Sequence, residues 1–427
     1  MKKFLLIWLG EFISGIGSGM TAFALSVYIY QTTGSVSLVS VIAVASFLPT
    51  ILLSPLGGVL ADRYDRRLLM IVGDLFSGLG LLYVLWNIHM GTESMMPIIA
   101  GVTCNAVFVA LLEPSFKATI TDLLTEEQYA KASGMVQIAG NARYLISPAL
   151  AGMLLAVSDI RLILILDIST FFITITTVAL VRKSIGKPTP KETRGTLTEL
   201  KEGFAVLKQS KGISALIALM AVVCFFVGFL QTLVSPMVLA FSDARTVGIL
   251  ESVCAVGMLV GSVIIGILGI KGSYVRTLSL AGMAASVFMA VSGVSVRLLV
   301  TGAGIFLFFL ALPFINTSAD VLVRSNVAGE LQGRVWGIIS LLSQTGTAVA
   351  YALGGVLADH IFEPLLAEQG ALAGSVGKLI GTGQGRGIGL MLVLSGICML
   401  PAAFAIGRSR HIKELQDAVS KEDRPCT

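Results

Sequence analysis

The stretch Gly57–Arg67, GGVLADRYDRR, decides how this chain folds. A long apolar run stops there in glycines, an aspartate and three arginines, and a second apolar run begins directly at Leu68. This reads as two membrane helices joined by a very short basic turn. Basic turns stay on the cytoplasmic side, so the stretch also orients the chain.

Working outward, the composition agrees. Of 427 residues, 55% are hydrophobic and 13% charged, whereas soluble domains carry about 25% charged residues. A helix crosses a bilayer with about 20 mostly apolar residues, its amides bonded internally. Twelve runs qualify: 4–30, 37–61, 68–88, 96–119, 134–157, 162–181, 212–241, 246–270, 275–294, 298–322, 335–360 and 387–407. With a cytoplasmic amino terminus, the outward loops hold only Arg161, Arg245, Arg297, Lys378 and Arg386; Arg143 falls within a span, and 24 of the 30 Lys and Arg lie inside. The opening Met1-Lys2-Lys3 precedes a run that carries Glu11 and lacks a small-residue cleavage site, so it reads as a retained first helix. The five cysteines show no CxxC spacing and the three histidines are scattered. Metal ligands, a redox pair and a clustered nucleophile with its base are therefore not expected, and no soluble signalling domain stands beside the spans.

Within the spans, polar residues are few. Span 1 carries Glu11, Gly15, Ser18, Ala22 and Ser26 at helical spacing, a stripe for close packing or for a polar cavity. Span 4 holds Asn105 and Glu113-Pro114, and span 5 holds Arg143 and SPALAG at 147–152. An ionisable group inside a membrane is a functional candidate by default. Asp74, Asp167 and Glu251 stand close enough to span ends to snorkel or pair. The polar stretch Arg182–Lys211 contains Pro188 and Pro190, a Thr196/Glu199 capping box, and Leu197, Leu200, Phe204 and Leu207 on one face. With Lys201, Lys208 and Lys211 it reads as an amphipathic helix on the inner membrane surface.

The chain repeats itself weakly. Glu127, Lys131 and Gly134 align with Glu330, Arg334 and Gly337 at an offset of 203, and the basic turn has an echo in GILGIKGSYVR, 266–276, at about 208. Equivalent offsets favour a duplicated unit. The expected fold is all-α: a polytopic membrane protein with twelve transmembrane helices in two pseudo-symmetric six-helix bundles. The bundles are residues 1–182 and 212–408, with a cytoplasmic linker at 183–211 and a cytoplasmic tail at 409–427. GGVLAD recurs at 354–359, but only the first copy has a basic tail, so the second reads as a small-residue helix end. GTGQGRG, 381–387, lacks P-loop spacing and reads as an external cap.

Two halves, a central loop and the turn Gly58-Val59-Leu60-Ala61-Asp62-Arg63-Tyr64-Asp65-Arg66-Arg67 together resemble the major facilitator superfamily, whose signature lies between helices 2 and 3. Asp65 stands where that signature has glycine; a turn residue at positive φ, which Asp tolerates, would account for it. WLGEFISGIGSGM at 8–20, ALSVYIYQTTGS at 24–35 and GRVWGIISLLSQTG at 333–346 are similar to the macrolide and siderophore exporter branch. Span 4 lacks the arginine of many proton-driven exporters, and Ser147-Pro148 replaces their Gly-Pro.

The resemblance implies export of an amphipathic or hydrophobic small molecule by alternating access, drawing on the proton gradient and needing no cofactor or metal. It places a gate at Gly58, Asp62, Arg63, Asp65, Arg66 and Arg67, with Asp62 meeting helix 11 or a neighbouring helix end. Spans 1, 4 and 10 would line the cavity. Glu113 leads the proton-coupling candidates, with Asp320, Glu11 and Arg143; Ser18, Asn105, Gln231, Asn316 and Phe229 are cavity candidates. Expected partners are the substrate, protons and membrane lipids, with no nucleic acid. The protein would be a monomer in the inner or plasma membrane with both termini cytoplasmic. Uptake, or lysophospholipid flipping, by the same architecture is the alternative, and a non-transporting membrane sensor is a more distant one.

Overall fold

In the computed structural model, residues 1–92, 94–183, 210–327 and 329–422 are described. All regular structure among them is helical. The long helices are α1 (Lys2–Thr33), α2 (Val36–Arg63), α3 (Arg66–His89), α4 (Met96–Leu123), α5 (Glu126–Val157), α6 (Ile160–Lys183), α7 (Lys211–Leu239), α8 (Ala244–Leu268), α9 (Tyr274–Val294), α10 (Leu298–Arg324), α11 (Gly329–Leu357) and α12 (Arg386–Arg408). A shorter α13 (Arg410–Glu422) follows. The amphipathic helix expected in the central linker lies outside the described residues.

Eleven of these helices are long and apolar enough to cross a membrane. The exception is α5, whose 32 residues include Gln128, Lys131, Gln137, Asn141 and Arg143. Length qualifies it, composition does not, so a twelfth crossing rests on topology. Leu52, Leu56, Phe172 and Leu299 are exposed on helix surfaces, as lipid-facing residues would be.

Local chemistry sets the boundaries. Gly34, at φ 65, ends α1 and donates to Tyr30 O, a left-handed cap that glycine adopts without strain. Ser210 caps α7 and Ser273 caps α9 through their hydroxyls. Prolines stand inside α2, α4, α5, α7, α10 and α12, which membrane helices tolerate when neighbours re-satisfy the freed carbonyls.

The chain forms two compact units. The first comprises Met1–Gly34, Val41–Thr193 and Asp243–Ser252; the second comprises Ser35–Ser40, Arg194–Ser242 and Val253–Thr427. In the first, Ile7, Met70, Val178 and Val181 form a core joining α1, α3 and α6, with Leu112 and Phe116 of α4 against it. In the second, Leu366, Ile380 and Leu390 pack the segment between α11 and α12 onto α12. Two short exchanges, Ser35–Ser40 and Asp243–Ser252, were not foreseen by a simple division into halves.

Candidate functional site

The basic turn closes the end of the first unit through a lattice of charge. Arg66 donates to Asp122 Oδ1 at 2.6 Å, to Ala118 O at 3.0 Å and to Ala61 O at 3.1 Å, and it pairs with Asp62 at 3.5 Å. One guanidinium thereby ties the end of α2 to the end of α4, which only the forked geometry of arginine permits. Arg67 is buried, with Nη2 3.9 Å from Asp122 Oδ2.

Asp65 departs from the sequence expectation. Its φ is −63, not positive, and its carboxylate caps α3 by accepting from Arg67 N at 3.1 Å. The other oxygen accepts from Arg182 Nε at 2.8 Å, tying the end of α6 to the same turn. Aspartate is there as a cap and an ion-pair partner, both of which glycine cannot be. The two glycines also differ. A methyl on Gly57 would stand 2.5 Å from Ala110 O, whereas Gly58 has nothing within 4 Å. Close approach of α2 to α4 therefore depends on Gly57.

A second cluster lies deeper in the first unit. Asp74 of α3 and Asp167 of α6 are each 1% exposed, so of the two expectations, snorkelling or pairing, the snorkelling one does not hold for them. They point into the helix bundle, not along the helix to its end. Ser18 donates to Asp167 Oδ1 at 3.2 Å, and Thr170 holds the Asp167 carbonyl at 2.6 Å. Asp74 is within electrostatic reach of Glu11 and Asp167, and Asp167 of Arg143. Glu11 Oε1, Asp74 Oδ2 and Asp167 Oδ2 are buried without a hydrogen-bond partner. An ionised carboxylate cannot be left so in a low-dielectric interior without a cost of several kcal/mol. The unpartnered oxygens are suited to hold a proton.

The other candidates are placed differently. Glu113 pairs with Lys117, one turn on in the same helix, at 2.6 Å, both exposed. Asp320 pairs with Arg324 at 2.8 Å, and the Arg324 guanidinium lies over the Trp336 ring. Asn105 and Ser77 exchange side-chain to backbone hydrogen bonds at 3.3 Å, locking α4 to α3. Ser18 thus joins the carboxylate cluster and Asn105 does not. In the second unit, Gln231 accepts from Tyr351 at 2.8 Å, and Phe229 is buried against Phe225 with ring centroids 4.8 Å apart.

Asn316 and Asp320 line a half-open cavity of about 400 Å³ on the second unit, walled by Leu216, Ile217, Met220 and Trp336. Its volume is in the range of small-molecule sites, and its few polar points sit among apolar walls. Trp336 was not singled out from the sequence, where a tryptophan in an apolar span has no distinguishing mark.

The Major Facilitator Superfamily profile matches residues 7–351. Macrolide efflux protein A of Streptococcus pyogenes is 28% identical over 370 residues, covering 84% of this chain and 90% of that protein. Enterobactin exporter EntS of Salmonella choleraesuis is 23% identical over 421 residues, covering 97% and 95%. Among solved structures, a bacterial homologue of the human lysosomal transporter Spinster, in an inward-facing and unoccupied conformation, superposes with a TM-score of 0.73 at 13% identity, covering 100% of this chain and 98% of that one. A bacterial homologue of the iron transporter ferroportin gives 0.71 at 14% identity, covering 95% and 98%.

Proposed function

This chain belongs to the major facilitator superfamily, is a transporter and not an enzyme, and from that premise we propose that it exports an amphipathic or hydrophobic small molecule, macrolide-like or siderophore-like, in exchange for protons. The names of its relatives support efflux as the direction. The buried carboxylates Glu11, Asp74 and Asp167 carry the proton-coupling part of the reading. A transporter that binds proton and substrate alternately needs an acid that is stable neutral when enclosed and ionised when opened to water. Three carboxyl groups on α1, α3 and α6, with Arg143 in reach, meet that need better than the solvated ion pairs of Glu113 and Asp320. Coupling is therefore assigned to the cluster, with Glu11, Asp167 and Asp74 as its acids and Arg143 as its counter-charge.

The basic turn serves as the inner gate. Its charge-assisted hydrogen bonds are individually strong, and Asp62 and Arg182 at its rim stay within reach of water, so the lattice can be opened from its rim and remade in a cycle. Cytoplasmic termini, a cell-membrane location and a monomeric state complete the proposal.

The test is flux in proteoliposomes holding the purified protein, with a macrolide and a catecholate siderophore as trial substrates and a pH-sensitive dye inside. Substrate added against an imposed proton gradient should move protons, and Asp167→Asn should abolish that movement while the protein still reconstitutes. Retained proton movement in Asp167→Asn, Asp74→Asn and Glu11→Gln alike removes the cluster from the mechanism. Accumulation of substrate in the direction of uptake removes export.

A further inference from the structure

The half-open cavity on the second unit lies where the early turns of α7, the last turns of α10 and the early turns of α11 meet. Leu216, Ile217 and Met220 give it apolar walls, and Asp320 is the single ionisable residue among the described residues that line it. Trp336 adds an indole to the same lining. A carboxylate and an aromatic face both attract an organic cation, the first by its charge and the second through the ring quadrupole.

A cation that belongs to the chain already stands at both. Arg324 donates from Nε to Asp320 Oδ2 at 2.8 Å, and its guanidinium carbon lies 5.7 Å from the centre of the Trp336 ring. Arg324 is the last residue of α10, one turn beyond Asp320. Its side chain is 59% exposed and that of Asp320 36%, so water competes with the pair and little is lost when the two part. Arg66 supplies the contrast, for its side chain is 12% exposed and two backbone carbonyls hold it besides its carboxylates. A basic residue in the last turn of a helix also complements the macrodipole. That role asks for a charge at the end of α10, but not for a guanidinium laid over an indole.

We propose that Arg324 is the tethered occupant of a cation site: the cavity takes an amphipathic organic cation, whose charge displaces Arg324 from Asp320 and from the Trp336 face. The apolar body of that ligand lies against Leu216, Ile217 and Met220, and the released guanidinium turns out into water. Methionine in the wall suits bodies of differing shape, because its unbranched side chain repacks readily. The proposal rests on the small-molecule part of the transport reading and sharpens it by adding the sign of the cargo's charge. It uses residues of the second unit alone and leaves the carboxylate cluster of the first unit to the proton.

The test is equilibrium dialysis of the full-length protein in lipid nanodiscs, corrected for empty nanodiscs. Two probes of one shape and opposite charge are compared, tetraphenylphosphonium and tetraphenylborate. The parent protein should bind the cation saturably and the anion less well. Arg324→Gln removes the internal competitor and should tighten cation binding about fivefold, as when Arg324 holds the site about four-fifths of the time. Asp320→Asn should weaken it about tenfold. Trp336→Leu should weaken it about threefold, and Trp336→Phe, which keeps an aromatic face, by less. A variant that fails to fold does not imitate the gain expected of Arg324→Gln. The proposal is overturned if the parent protein shows no saturable cation binding, if it binds tetraphenylborate as well or better, or if Arg324→Gln binds the cation no more tightly. Dialysis reads binding without flux. Failed export of every trial substrate with cation binding intact therefore bears on the export reading, and lost binding on the cavity alone.

Discussion

Gly57 and Gly58 are neighbours in one turn of α2, and substituting each with alanine should have opposite consequences. Alanine gains about 1 kcal/mol over glycine in a helix interior. At Gly58 the added methyl meets nothing within 4 Å, so Gly58→Ala keeps the gain. At Gly57 it would stand 2.5 Å from Ala110 O and 3.3 Å from Pro114 Cγ. That oxygen belongs to the backbone of α4 and cannot swing aside as a side chain would. Overpacking of this kind costs about 1 to 3 kcal/mol, which cancels or reverses the helix gain. Thermal unfolding of the two full-length variants in one detergent should place Gly58→Ala above Gly57→Ala, by about 1 to 2 °C for each kcal/mol of difference in a chain of this length. A Gly57→Ala protein that melts at or above Gly58→Ala refutes the packing argument. Should Gly58→Ala lose transport while its melting temperature holds or rises, the glycine in the family signature serves movement and not stability.

Three further outcomes are expected. Arg66→Lys keeps the charge but cannot reach Ala61 O, Ala118 O and Asp122 together; it should cost about 1 to 3 kcal/mol and slow transport, checked by melting temperature and flux. Glu113→Gln removes one member of an exposed i,i+4 pair, so stability should change by no more than about 0.5 kcal/mol and proton-coupled flux should persist in the proteoliposome assay. Asp243 caps the start of α8 by accepting from Thr246 N at 2.8 Å, and that amide holds its carboxyl below the usual range. Its contribution is present above the unfolded pKa of about 3.9 and is lost as pH falls through the lower folded value. Asp243→Ala should therefore lower the melting temperature at pH 6, by the small amount due to an exposed cap, and bring it level with the parent protein at strongly acid pH.

The sequence made the membrane class, the helix order and the basic turn legible because each depends on residues close together in the chain. Hydropathy and the cluster Asp62, Arg63, Arg66 and Arg67 suffice for that. Asp65 shows the limit of local reading: its position was recognised as unusual, but its cap and its Arg182 partner, 117 residues away, needed the folded bundle. Asp74 and Asp167 were weighed by distance from helix ends, a coordinate along one helix that says nothing of the face turned toward neighbours. Asp359 ends the second GGVLAD, yet only the folded chain shows its carboxylate accepting from the amides of Val36 and Ser37. The run 134–157 counted among the twelve spans, yet the helix that contains it, Glu126–Val157, is too polar to qualify, and Arg143 of the carboxylate cluster is among the residues that lower its hydropathy.

The helix α13 bears on the order in which the second unit assembles. Its Ile412 and Leu415 are buried, Leu415 O accepts from Asn326 at 3.0 Å, and Gln416 Oε1 accepts from Val275 N and the Ser273 hydroxyl, both at 3.3 Å. The amide of Val275 thus obtains its partner from a residue 141 positions later in the chain. During synthesis α9 must enter the bilayer with that amide still in water, and three more long helices must follow before Gln416 arrives. Closure of this end of the unit is therefore a late folding event, and a protease acting on nascent chains should find the start of α9 open until α13 has docked.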